Sequence, residues 1–208
     1  MPTMRHLSLL PILVTSVLTV AACGSTTDDG DKSETAAPTA SAIDCAQPAG
    51  DVETQVCADP ALADLDQRLA RTYQQSVGET GLDSYQLRRT QREWVSGRDK
   101  CVDSTDAHRC LLEAYQTRLV ELQVAAKDDT APTPVEYRCD SDKPVSGVFY
   151  TDIDPSAMVL TVGADKAILI QQVVASGIHY AREGVDYREH HGDITIDFHG
   201  SKMSCRAS

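Results

Sequence analysis

The sequence predicts two architectures in one chain: an all-α, disulfide-stapled helical bundle followed by an all-β small antiparallel barrel. Three observations carry this. The apolar period is helical up to about residue 126 and becomes two beyond residue 136. A polar stretch holding Pro132 and Pro134 lies between the two regimes. Finally, the cysteines after the amino-terminal signal divide into Cys45, Cys57, Cys101 and Cys110 before that stretch and Cys139 and Cys205 after it. An even number on each side suits a chain in which each half closes its own bridges, as exported proteins do. The segments read as a signal peptide over 1–22, a tether over 23–43, a helical domain over 44–126, a linker over 127–135 and a barrel domain over 136–208.

Residues 1–22 read as an export signal: Arg5 in a short basic start, an apolar run from Leu7 to Val20, then small Ala21 and Ala22. The run is too short to span a bilayer, which takes about 20 apolar residues, and it contains Pro11, Thr15 and Ser16. Val20-Ala21-Ala22-Cys23 resembles the bacterial lipobox, which implies a lipid on Cys23 and membrane attachment through it. The tether that follows is Ser, Thr, Ala, Asp and Gly, too polar to bury a core.

Three helices are expected in the first half. Asp59 caps a helix that starts at Pro60, carries Leu62, Leu65, Leu69 and Tyr73 on one face and stops near Gly78. Asp83 caps a second through Leu87, Gln91, Trp94 and Arg98, and Asp106 a third through Leu111, Tyr115, Leu119 and Leu122. Trp94 and Tyr115 read as core, Arg92 and Arg98 as a solvated face. Cys101 and Cys110 flank a turn and bridge easily, with Cys45 and Cys57 as companions, although four cysteines allow three connectivities.

In the second half, Tyr137 to Cys139, Val145 to Tyr150, Ala157 to Val162, Ala167 to Val174, Gly184 to Arg188, Asp193 to Phe198 and Lys202 to Arg206 are strand candidates at short spacing, fitting a barrel or sandwich. A bridge from Cys139 to Cys205 would join the first strand to the last. Between the fourth candidate and the sixth lies a polar segment punctuated by Gly177, Gly184 and Gly192. It displays Ser176, Gly177, His179, Tyr180, His190 and His191, a hydroxyl, a ring and imidazoles on a projection that suits entry into another protein's cleft.

Two resemblances follow from these residues. Asp44-Cys45, Cys57-Ala58-Asp59, Leu62 to Asp66, Tyr73, Gln91 to Trp94, Arg98, Cys101, Cys110-Leu111, Tyr115 and Arg118 resemble the LprI-type amino-terminal domain. Tyr137 to Asp140, Ala175 to Tyr180, Gly192-Asp193 and Cys205 resemble the MliC-type domain of c-type lysozyme inhibitors. Together they imply a lipoprotein that inhibits c-type lysozyme by placing a barrel loop in the enzyme's active-site cleft. The resemblance assigns the cleft-entering serine to Ser176. The family's lysine falls on His191 or His190, and its neighbouring tryptophan is replaced by Tyr187 and Arg188.

A formal net charge of −12 argues against nucleic acid as partner and favours encounter with a basic protein such as lysozyme. No cofactor and no catalytic residue is expected. Ser176, His179 and Asp186 hold the atoms of a hydrolase triad, but the sequence around the serine lacks a nucleophile elbow. Four histidines, His179, His190, His191 and His199, would bind metal only if the barrel gathered them, and adjacent histidines on a strand point to opposite faces. The competing reading is a non-inhibitory envelope module that binds a partner through the helical half.

Overall fold

The computed structural model describes residues 42–78, 84–127 and 131–208. The signal segment, Cys23, nearly all of the tether and the Asp83 cap lie outside the described residues.

Helices α1 (Asp51–Ala58), α2 (Pro60–Gly78), α3 (Ser84–Arg98) and α4 (Ala107–Ala125) form the first half, with a 3-10 helix over Asp99–Asp103 between the last two. The Asp59 carboxylate accepts from the amides of Ala61 at 2.7 Å and Leu62 at 3.2 Å, which starts α2 where the Asp-Pro pair predicted. Asp106 accepts from the Arg109 amide at 3.0 Å and starts α4 in the same way. Helix α1 and the 3-10 turn were not expected, because each is only one to two turns long and is held by a bridge more than by an apolar stripe. The bridges are Cys45–Cys57, which ties the amino-terminal segment to α1, and Cys101–Cys110, which ties the 3-10 turn to α4. Val56, Leu62, Leu69, Leu111, Tyr115 and Leu119 are among the residues of the bundle core.

The second half is a closed barrel of eight antiparallel strands in simple up-and-down order: β1 (Val135–Cys139), β2 (Val145–Tyr150), β3 (Ala157–Val162), β4 (Asp165–Gln171), β5 (Ile178–Arg182), β6 (Val185–His190), β7 (Asp193–Phe198) and β8 (Ser201–Ala207). Closure comes from β1 pairing with β8, where Cys139 faces Cys205 in register and the two are bridged. Seven strands were expected. The eighth is β5, and the strand expected to run to Val174 ends at Gln171, because pairing between β4 and β5 stops at Gln171 and Tyr180. The interior holds an aromatic group: the rings of Tyr180 and Tyr187 flank Phe149 at centroid distances of 5.4 and 5.8 Å, and Tyr137 meets Tyr187 at 5.9 Å.

Helix α4 serves both halves. Leu111, Tyr115, Leu119 and Leu122 face the bundle. Val120 and Val124 instead pack on the outer surface of the barrel, with Tyr150, Ile153, Ala157 and Ile170. Of these, Tyr150, Ala157 and Ile170 alternate with Phe149, Met158 and Leu169, which point inward, so β2 to β4 are apolar on both faces. Ion pairs fasten the ends of this seam. Arg109 meets Glu183 at 3.2 Å at one end, and Arg68 meets Asp154 at 2.8 Å at the other.

Candidate functional site

In an up-and-down barrel, alternate connections share an end. The β2–β3 loop, the β4–β5 loop (172–177) and the β6–β7 turn at 191–192 therefore lie at one rim. Residues 172–177 are all exposed. Val173 is fully exposed, and Val174 and Ile178 are 39% and 40% exposed, three large apolar side chains left to solvent within six residues.

Gly177 makes the loop possible. Its φ is +75°, and a Cβ there would stand 2.3 Å from the carbonyl oxygen of Glu189, so only glycine lets the chain turn this close to β6. The consequence is that Ser176 Oγ comes to 3.4 Å from Nε2 of His190, joining the β4–β5 loop to the end of β6. His191 follows in the left-handed region at φ 55°, and its ring lies 4.0 Å from that of His190. The expectation that these two histidines diverge to opposite faces fails here. His190 is the last residue of β6 and His191 already belongs to the turn, so the alternation of an extended strand no longer applies.

The remaining site residues divide. His179 sits on the barrel's outer wall, half-buried, with Nε2 2.7 Å from Asp186 Oδ2. Arg188 Nε donates to the other oxygen of Asp186 at 2.7 Å. Partial burial would raise the Asp186 carboxyl, but these hydrogen bonds outweigh it and hold the group below the usual carboxylate range. Tyr180, expected on the projection, is instead 2% exposed and points into the barrel, because strand alternation from Ile178 puts residue 180 inside, and it cannot touch a partner. Nor is the Ser176, His179, Asp186 set assembled, since Ser176 faces His190 while His179 faces Asp186. Among the described residues, no group of three or more His, Cys, Asp or Glu side chains could hold a metal ion, and no helix is long and apolar enough to cross a membrane.

Sequence reasoning missed the apolar part of the rim. The sequence reads Val173 and Val174 as the end of a strand, and only Gly177, three residues on, signals that the strand has stopped. It also misplaced Arg98, which is buried, with its guanidinium carbon 5.3 Å from the centre of the Trp94 ring. The spacing of residues 94 and 98 on one helical face was the available signal. Arg92 is exposed as expected, and Tyr115 is fully buried in the core.

Residues 45–122 match the family described as lysozyme inhibitor LprI, and residues 137–204 match membrane-bound lysozyme-inhibitor of c-type lysozyme, MliC. Lipoprotein LprI of Mycobacterium bovis (strain ATCC BAA-935 / AF2122/97) is 38% identical over 199 residues, which is 95% of this chain and 98% of that one. The same figures hold for Lipoprotein LprI of Mycobacterium tuberculosis strains CDC 1551 / Oshkosh and ATCC 25618 / H37Rv. No solved structure matches the chain significantly.

Proposed function

The chain belongs to the LprI family of lysozyme-inhibitor lipoproteins, and from that membership we propose that it is anchored to the cell envelope by a lipid on Cys23 and blocks a c-type lysozyme with the rim of its barrel. The observation that carries the mechanism is the approach of Ser176 to His190 at 3.4 Å on a fully exposed loop. A retaining lysozyme works with a protonated acid and an ionised carboxylate about 5 Å apart in a cleft. The Ser176 hydroxyl can hydrogen-bond one of these carboxyls, and a protonated His190 imidazole can neutralise the other through a charge-assisted bond. Val173, Val174 and Ile178 supply apolar contact beside them, and burying them displaces water from both surfaces. Gly177 keeps the loop in the shape that presents the hydroxyl, and the His191 ring lies tilted against that of His190. The acidic chain would be drawn to a basic enzyme at long range, subject to screening by salt. Tyr180 contributes rigidity from inside, and His179 braces the wall through Asp186.

The test is inhibition of a c-type lysozyme by the lipid-free chain starting at Gly24. A hydrogen bond to a charged group is worth roughly 1.5 to 3 kcal/mol, so Ser176→Ala should raise the inhibition constant about 10- to 100-fold. Val173→Asp should raise it as well, by setting a charge in the apolar contact. Inhibition left intact by Ser176→Ala, His190→Ala and Val173→Asp together would remove the rim from the mechanism. For the anchor, Cys23→Ala should abolish lipid incorporation in cells, and lipid that persists in that variant would refute the assignment.

A further inference from the structure

Helices α2 and α3 pack chiefly on α4 and so leave a groove between themselves, a cavity of about 460 Å³. Its walls are apolar and aromatic, with Leu69 and Tyr73 from α2 and Trp94 and Val95 from α3. Ile43 closes part of it, held by its amide donating to Asp66 Oδ2 at 2.7 Å. Four carboxylates line the cavity, Asp44, Glu53, Asp66 and Asp99, against one guanidinium, Arg98. That guanidinium is already committed: it donates from Nε and Nη2 to Asp99 and from Nη1 to the Tyr115 hydroxyl. The Tyr115 hydroxyl in turn donates to Asp66 at 2.9 Å, so Asp44 and Glu53 at the rim are left facing no cation of the groove. Among the described residues, each of these carboxylates accepts only a local backbone amide, from Ala46 and Ala49.

We propose that this groove is a second binding site, separate from the barrel rim, which takes an arginine or lysine side chain from an extended segment of a partner protein. Charge complementarity selects that occupant. A long basic side chain lays its methylene stem along apolar and aromatic walls while its head meets carboxylates, and this groove presents both. The chain's own tether, which reaches the groove at Ala42, is unsuited to it: Asp28, Asp29, Asp31 and Glu34 outweigh Lys32, so like charges would meet.

Trp94 is the one tryptophan of the chain, and its fluorescence therefore reports on the groove alone. The experiment titrates the lipid-free chain from Gly24 with an amidated oligoarginine peptide at physiological salt. A saturable change in Trp94 emission is expected, and Asp44→Asn with Glu53→Gln should weaken it about tenfold. The amide side chains keep the acceptors for Ala46 and Ala49, and an unchanged melting temperature checks the fold. Ala70→Phe, which fills the groove from α2 without altering charge, should remove the response independently. Asp142→Asn with Asp165→Asn, on the barrel, should leave it intact. An absent response, a response untouched by the groove variants, or one lost equally with the barrel variants would overturn the proposal. So would a response that appears only after residues 24–41 are deleted, which would assign the groove to the tether.

Discussion

Val120 of α4 and Ile170 of β4 are buried in one apolar cluster, so the helix that completes the bundle core also covers an outer wall of the barrel. Removing two methyl groups at a fully buried valine typically costs about 2 kcal/mol, and Val120→Ala should lose roughly that on urea unfolding. Val120→Asp strands a carboxylate against Tyr150 and Ala157 and should separate the halves. The check is limited proteolysis: cleavage within residues 131–134 should accelerate in Val120→Asp. An unchanged cleavage rate and unfolding midpoint would show that the seam contributes nothing to stability.

The bridges should rank by the loop each closes. Cys139–Cys205 spans 66 residues and Cys101–Cys110 spans 9. Chain-entropy arithmetic assigns about 4 kcal/mol to the first and about 2.5 kcal/mol to the second. Replacing each pair by serine and measuring urea unfolding tests the order. A larger loss at Cys101 and Cys110 would mean that local strain or residual structure outweighs loop closure.

Much of this was legible in the sequence, and what was not has identifiable causes. Caps at Asp59 and Asp106, and the change of period near residue 130, marked α2, α4 and the barrel because capping and periodicity are local signals. The seam was hidden because it needs two distant segments at once. Val120 and Val124 stand off the apolar stripe of α4, and Ile168 and Ile170 on β4 looked like ordinary strand residues until a helix was found against them. Ser176 and His190 were both singled out, but their proximity depends on register and on Gly177, which spacing alone does not reveal. Tyr180 was misread for a related reason: its direction follows from β5, the strand that was not expected.

Four tyrosines should resist ionisation. Burial raises Tyr115, Tyr137, Tyr180 and Tyr187 above the usual phenol range. For Tyr115, Asp66 adds to the effect and Arg98 opposes it; for Tyr187, the Tyr137 hydroxyl and Glu189 add to it. The folded state thus holds protons that the unfolded chain releases near pH 10, so this stability is complete below about pH 10 and declines as pH rises beyond it. Phenolate absorbance followed with circular dichroism should show these four ionising only as the fold is lost. Ionisation of all seven tyrosines at constant circular dichroism would contradict it.

If the rim is the inhibitory surface, inhibition should strengthen on acidification, because the rim carries imidazoles where the MliC resemblance implies a lysine. Imidazole is the side chain whose charge ordinarily changes between about pH 5 and 8, whereas an ammonium is cationic throughout. His190 is the one beside Ser176, at 3.4 Å. A cation at that position would be drawn by the carboxylates of a lysozyme cleft. The inhibition constant should fall as pH is lowered from about 7.5 to about 5.5, until the enzyme's own carboxylates are protonated and the attraction fades. His190→Lys should tighten binding at the upper end and flatten the profile there. His191→Lys, at the adjacent turn position that does not bond Ser176 among the described residues, should do so less. Inhibition constants for the three proteins across that range decide the matter, and a profile that is flat in all of them would show that neither imidazole acts through its charge.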